Sequence, residues 1–456
     1  MGDLGARIEA DRQRIVDELS TLVAIPSVGY DGYDAANVRA SAEATATILR
    51  DAGLADVRLL ELDGGHPAVF GEIAGPEGAP AVLLYAHHDV QPAADAGEWA
   101  HPPFEPTVVD GRLYGRGSAD DKCGIAIHAA AIRALLAEGA PPVTIKVVVE
   151  GEEECSTEHL PELVQGNAEL LRADVAIVAD SGNIRTGMPT ITTSVRGATS
   201  LEVRVDVLPQ AVHSGAYGGP LPDAISALAR MIASLHTDDG EVAVEGLHAF
   251  AWRGADLTEA EFRAETKLHP EIQLLGSGTI ADRTLSQASI NVLAFDAPRV
   301  NEVANQIVPT ATAVIGLRMA PGEDYANART HVADHLRAAA PWGVRVTIDE
   351  DEPGAGYIVD TASATFAAAR EALTEAFGHE VTEIGSGGSI PLVPLLAGTF
   401  PGIEVLMWGA ADDRSNYHSR DESVDLGEVV RMAQAEASFL VKARRALTRA
   451  TARLRP

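Results

Sequence analysis

The residues with most chemical potential lie where apolar runs end. Glu150-Gly151-Glu152-Glu153-Glu154 sets four carboxylates directly behind the run Thr144 to Val149 (TIKVVV). Three other runs behave alike. AVLLYA (81–86) empties into His87-His88-Asp89, DVAIVA (174–179) ends in Asp180, and Ile403 to Trp408 feeds a polar loop containing His418. Asp120 joins them, opening a helical segment after the glycine-rich GRLYGRGSA. Like charges crowded together drive one another toward protonation unless a cation holds them. Two histidines and three carboxylates, His87, Asp120, Glu154, Asp180 and His418, offer the nitrogen and oxygen donors that suit zinc, and also cobalt or manganese. Five donors are one too many for an ordinary four-coordinate site. They match two metals sharing one carboxylate, an arrangement that clamps a water and a substrate oxygen during hydrolysis. Two divalent cations outweigh three carboxylate charges and keep every acid ionised.

These residues meet only if the elements bearing them lie side by side. Short Val/Ile/Leu runs without turn formers, interleaved with helical segments, predict strands of a mainly parallel sheet covered on both faces. In such sheets the loops leaving the carboxyl ends line a common crevice. Helices are expected over 3–23, 35–52, 122–137 and near 159–172, and strands over 57–62 and 68–73. From about Ser194 the pattern changes to alternating strands (200–207, 290–295, 312–319, 344–349) with helices at 223–235 and 323–340, which predicts a small sheet with helices on one face. After Gly354 the first pattern resumes, with helices over 361–377 and 426–447. The chain therefore divides into a catalytic domain formed by 1–193 and 353–456, interrupted by an inserted domain, 194–352.

Bulk properties narrow the function. The 456 residues carry 35 Lys and Arg against 66 Asp and Glu, a net charge of −31, which repels nucleic acid and anionic membrane. No apolar stretch is long enough to span a bilayer and no charged-then-apolar leader opens the sequence, so a cytoplasmic location is expected. The two cysteines, Cys123 and Cys155, are too few for a disulfide framework and read as small buried residues. Gly115-Arg116-Gly117 invites comparison with a dinucleotide loop, but Asp120 occupies the place of the third glycine and removes that reading.

YAHHDVQPA, GRGSADDKCG, EGEEE, Asp180 and NYHS, in this order and over nearly the whole chain, resemble the two-zinc exopeptidases that include carnosine-type dipeptidases, aminoacylase, acetylornithine deacetylase and succinyl-diaminopimelate desuccinylase. The dipeptidase branch is the most similar. The resemblance implies an α/β, phosphorylase/hydrolase-like catalytic domain and an inserted α+β (ferredoxin-like) lid through which two chains form a homodimer. It implies that His87 and Asp180 hold one zinc, that Glu154 and His418 hold the other, and that Asp120 bridges them. Glu153 would then be the base that activates a metal-bridging water, with Asp89 orienting His87 and Asp121 in support. His213, in VHSG, would reach the neighbouring subunit's site and stabilise the oxyanion. Arg318, in GLRMAPGED, would clamp the substrate carboxylate, a task suited to a planar guanidinium, and Ser389 would hydrogen-bond substrate backbone. Glu150 and Glu152 would be bystanders.

One departure bears on the substrate. Dipeptidases of this type tend to carry an acid before the Gly-Gly of a late loop, facing the substrate amine. This chain reads GSGGSIP, with Ser386 there and Glu383 nearby. The expectation is hydrolysis of a dipeptide or short peptide, with an N-acyl-amino-acid deacylase acting on acetyl or succinyl amides as the alternative. A catalytically inactive dimeric scaffold is the reading from another class, and retention of Glu153 beside all five ligands argues against it.

Overall fold

The computed structural model describes residues 2–350, 354–388 and 390–453. Two compact units emerge. The first comprises residues up to Thr193, Val359–Ile384 and the chain from Leu395; the second comprises Ser194–Ile358 and Gly385–Pro394.

In the first unit the strands lie in the order Asp56–Leu60, Ala68–Ile73, Thr144–Glu150, Ala81–His87, Val175–Val178, Glu404–Met407, Thr190–Val195. The four middle strands are the four apolar runs singled out from the sequence, and they run parallel to one another. Antiparallel strands flank them on both sides. Val147, Val149, Leu83, Leu84, Ile177 and Val405 are wholly buried, as a sheet covered on both faces requires. One cover is the helix Lys122–Glu138, which packs against the closing helix Leu426–Arg453 and the helix Arg12–Val23.

Some elements depart from the periodicity. The amphipathic segment over 3–23 is two helices, Gly2–Ala10 and Arg12–Val23, interrupted at Asp11. The helix expected near 159–172 is split into Leu160–Gly166 and Ala168–Leu171 at Asn167, whose side-chain amide donates to the Leu163 carbonyl (3.0 Å) and so competes with the backbone ladder. The closing helix extends past 447 to Arg453.

The second unit is built on a four-stranded antiparallel sheet in the order Ser289–Asp296, Thr310–Met319, Gly197–Asp206, Arg345–Glu350. With the helices Ala224–Ala233 and Tyr325–Ala338 it follows a ferredoxin-like strand order. Alternation sorts the two faces: Leu201, Val203, Val205, Ala313, Ile315 and Leu317 pack with Leu228, Met231, Val332 and Leu336 from the helices. The boundary expected after 352 falls after Ile358, because Tyr357–Ile358 pairs with Val195 and Ser194. Residues 385–394 also cluster with this unit, and the Gly388 carbonyl accepts the Arg196 N–H (3.2 Å). Among the described residues no helix is long and apolar enough to cross a membrane.

Candidate active site

Strand register brings the reactive ends together. His87 lies opposite Glu150 on the neighbouring parallel strand, and Tyr85 lies opposite Val178 on the other side, so His87, the acidic loop and Asp180 leave one edge of the sheet. Asp120 reaches that edge on the Gly115–Asp120 loop. His418 reaches it on the turn that follows the Glu404–Met407 strand.

The Asp120 carboxylate sits between two imidazoles. Its Oδ1 is 3.0 Å from His87 Nε2 and its Oδ2 is 3.0 Å from His418 Nε2, which is also 3.0 Å from Glu154 Oε2. Donor atoms of His87, Asp120 and Glu154 lie within 4.8 Å of one another, and so do those of His87, Glu153 and Asp180. The structure therefore draws Glu153 as well as Asp180 toward His87.

Proton affinities in this cluster are displaced in both directions. Burial, reinforced by the Asp120 charge, pushes the Asp180 carboxyl up to about 7, and burial with Asp180 beside it raises Glu153 well above the carboxylate range. Hydrogen bonds to Asp120 and Glu154 push His418 up to about 10. Burial opposes charge on His87, yet hydrogen bonding to Asp120 and Asp89 raises it well above an ordinary imidazole. Asp120 is lowered despite its burial, because both histidines donate to it. Left to themselves these groups retain protons to balance charge. Divalent cations would do the same by displacing those protons, so the donor set fits a metal centre.

Neighbouring groups fix the donors. His87 Nδ1 is 3.1 Å from the Asp89 carbonyl, which makes Nδ1 the protonated nitrogen of the neutral ring and leaves the Nε2 lone pair facing Asp120. The Asp89 carboxylate is farther from Nδ1, at 3.4 Å. It is engaged elsewhere: Oδ1 accepts the Glu153 N–H (3.2 Å) and Oδ2 the Glu154 N–H (3.0 Å). Asp89 thus orients His87 chiefly through its carbonyl and fastens the acidic loop with its carboxylate. His88 points away, is wholly buried, and faces the Pro67 carbonyl (3.0 Å). Burial pushes it down to about 4, as befits a neutral core histidine.

Glu150 and Glu152 lie outside both donor groups and hold structure instead. Glu150 accepts the Tyr85 hydroxyl (2.7 Å) in the core, where burial pushes it up to about 8. Glu152 accepts the His66 N–H (2.9 Å) and faces His159 Nδ1 (2.9 Å), tying the acidic loop to two other segments. Cys123 is buried and Cys155 half-buried, both free thiols. Sequence reasoning missed Gln91, whose amide donates to Glu154 Oε2 (2.8 Å), and Tyr30, whose hydroxyl donates to the Glu154 carbonyl (2.6 Å). Gln91 stands two residues beyond Asp89, a spacing that shares its face on extended chain. Tyr30 carried no signal.

In the second unit His213 is exposed at the start of a helical turn, and its Nδ1 accepts the N–H groups of Gly215 (3.1 Å) and Ala216 (3.2 Å). The ring hydrogen of the neutral form is consequently on Nε2, which is left as a donor. Arg318 extends from an exposed position of the Thr310–Met319 strand, and its carbonyl accepts from Arg196 (3.2 Å). Ser386 Oγ accepts the Gly388 N–H (3.1 Å). Ser389 lies outside the described residues. In the first unit Glu383 pairs with Arg370 (3.6 Å).

Residues 83–442 match the model of peptidase family M20/M25/M40. The chain belongs to this family. Within it, the chain is 36% identical over 437 residues to a cysteinylglycine-S-conjugate dipeptidase of Corynebacterium striatum, covering 94% of this chain and 96% of the relative. It is 26% identical to the human Beta-Ala-His dipeptidase over 82% of this chain and 77% of the relative. The solved structure of the Saccharomyces cerevisiae di-peptidase Dug1p shares the fold, with a TM-score of 0.81 at 20% identity over 97% of this chain and 98% of that one. The M20/M25/M40 chain is thus a peptidase whose cluster of imidazoles and carboxylates is suited to bind metal.

Proposed function

We propose that this chain is a homodimeric, cytoplasmic, metal-dependent dipeptidase that hydrolyses the amide bond of a dipeptide or short peptide. The observation that carries this reading is the Asp120 carboxylate with one imidazole on each oxygen, beside the carboxylates of Glu154, Asp180 and Glu153. His87 and Asp180 would hold one ion and Glu154 and His418 the other, with Asp120 available to both. Zinc suits these nitrogen and oxygen donors, and manganese and cobalt fit the same set. Such ions, when bound, act as Lewis acids toward the substrate carbonyl and lower the pKa of water.

Glu153 takes a proton from the attacking water and delivers it to the leaving amine. Its place beside His87 and Asp180, with its N–H held by the Asp89 carboxylate, suits it to that exchange. The Nε2–H of His213, contributed by the partner, donates to the developing oxyanion. Arg318 pairs with the substrate's terminal carboxylate, and Ser389 hydrogen-bonds its backbone. The homodimer is supported by the edge strand Ser289–Asp296, which exposes Val292, Leu293 and Phe295. Two free thiols agree with a reducing compartment.

Ser386, standing where dipeptidases tend to carry an acid, favours the second reading, an N-acyl-amino-acid deacylase. Rates on a free dipeptide and on its N-acetylated form separate the two. Turnover of the free dipeptide is expected, and activity confined to the blocked substrate would overturn the dipeptidase reading. Metal analysis addresses the inactive scaffold: about two ions per chain are expected of the enzyme.

A further inference from the structure

The turn that carries His418 also carries a carboxylate to which the proposed chemistry gives no part. Glu422 is wholly buried. Its Oε1 accepts the N–H groups of Ala119 (2.9 Å) and Asp120 (3.1 Å). Its Oε2 accepts the Gly117 N–H (3.0 Å) and Arg116 Nη1 (2.6 Å). Its main-chain carbonyl accepts the Gly115 N–H (2.9 Å). Four donors on two oxygens fill the carboxylate's acceptor capacity. Hydrogen bonds to an ionised acceptor are about twice as strong as neutral ones, so this is a firm grip on the loop.

The loop needs one. Gly117 has φ +83°, and a Cβ there would lie 2.5 Å from Val90 Cγ1, so the position is closed to a side chain of its own that could anchor the turn. Glu422 itself is held in place by the residues that follow it, Ser423–Asp425, which pair antiparallel with Arg112–Tyr114. The preceding Asp421 accepts the Ala100 N–H (2.7 Å). His418 projects from this same braced turn.

We propose that Glu422 is the positioning residue of the metal centre: from the turn that bears His418 it holds the Ala119 and Asp120 amides, so that the Asp120 carboxylate stands between His87 and His418 before any ion binds. The proposal rests on the reading of His87, Asp120, Glu154, Asp180 and His418 as metal ligands. Glu422→Gln replaces one acceptor oxygen by an NH2 group that confronts donors, releasing one side of the loop. Glu422→Asp keeps the charge for Arg116 but is too short to reach both sides.

The test is titration of metal-free, full-length protein with Co2+, followed by visible absorption and chelator competition, with thermal unfolding of the metal-free chain as the check on folding. Wild type is expected to bind two ions. Glu422→Gln is expected to bind at least one of them about tenfold to a hundredfold more weakly, the range typical of lost support around a ligand. Excess metal should restore kcat while KM stays near the wild-type value. Wild-type cobalt affinity in folded Glu422→Gln or Glu422→Asp would overturn the proposal. If neither variant folds, hydrogen exchange of residues 115–121 in metal-free wild type decides: protected amides support a pre-set loop, and protection appearing only with metal overturns it. A wild-type chain that takes up no cobalt would refute the metal-site reading itself, and this inference with it.

Discussion

Asp120 Oδ2 and His418 Nε2 stand 3.0 Å apart, although one residue lies in the loop just before an early helix and the other sits in a late turn. Asp120 faces His87 with its other oxygen, so removing this one carboxylate strips a donor from both proposed ion sites. Asp120→Ala is expected to lose at least one of the two ions per chain on elemental analysis and to lose turnover with it. Full metal content in a folded Asp120→Ala protein would show that the carboxylate bridges nothing.

Glu153 is the residue for which binding and chemistry should separate. Glu153→Gln keeps shape and removes the proton acceptor. It is expected to retain both ions and a near-normal KM while kcat falls by roughly 10²–10⁴, the range typical of a lost general base. Because Glu153 lies near His87 and Asp180, metal content must be measured on the same sample. Loss of an ion would make Glu153 a ligand instead of a base.

Metal uptake should release protons. In the metal-free chain His418 is pushed up to about 10 and His87 is raised, so both imidazoles are protonated at neutral pH. Asp180, pushed up to about 7, is half-protonated there. Each of these protons must leave before the donor can bind, so apparent affinity rises with pH across the window from about 6 to 8. Calorimetry in buffers of different ionisation enthalpy counts the protons. Affinity that is flat or falling over that window would contradict the charge states derived for the cluster.

Stability of the His418 turn depends on a buried ion pair. Arg112 donates through both terminal nitrogens to Asp412 (2.7 and 2.9 Å) and through Nε to Ser423 (3.0 Å), with both members of the pair buried. Arg112→Met leaves the Asp412 carboxylate buried without its cation, which costs about 3–5 kcal/mol. Urea unfolding of the metal-free chain should show this loss as a lower midpoint. An unchanged midpoint would mean that solvent reaches Asp412 in the variant.

Much of the fold is legible in local pattern. TIKVVV, AVLLYA, DVAIVA and the run before Trp408 are short, apolar and free of turn formers, the pattern of buried strands. The alternation of the Gly197–Asp206 and Thr310–Met319 strands marks a sheet with one covered face, and the residues with ligand chemistry stand at the ends of the runs. What only the tertiary structure decides is which distant groups share a proton or a hydrogen bond. It sets the four runs side by side in the order that aligns their carboxyl ends, turns the Asp89 carboxylate onto the acidic loop, and engages Glu150 with Tyr85 and Glu152 with His159. It also moves the boundary of the insert to Ile358. Periodicity is a property of neighbours in the chain, whereas the acceptor a buried donor finds depends on packing between separate segments. For that reason the sequence could name Asp120 and His418, but only the folded chain shows Glu422 joining their loops.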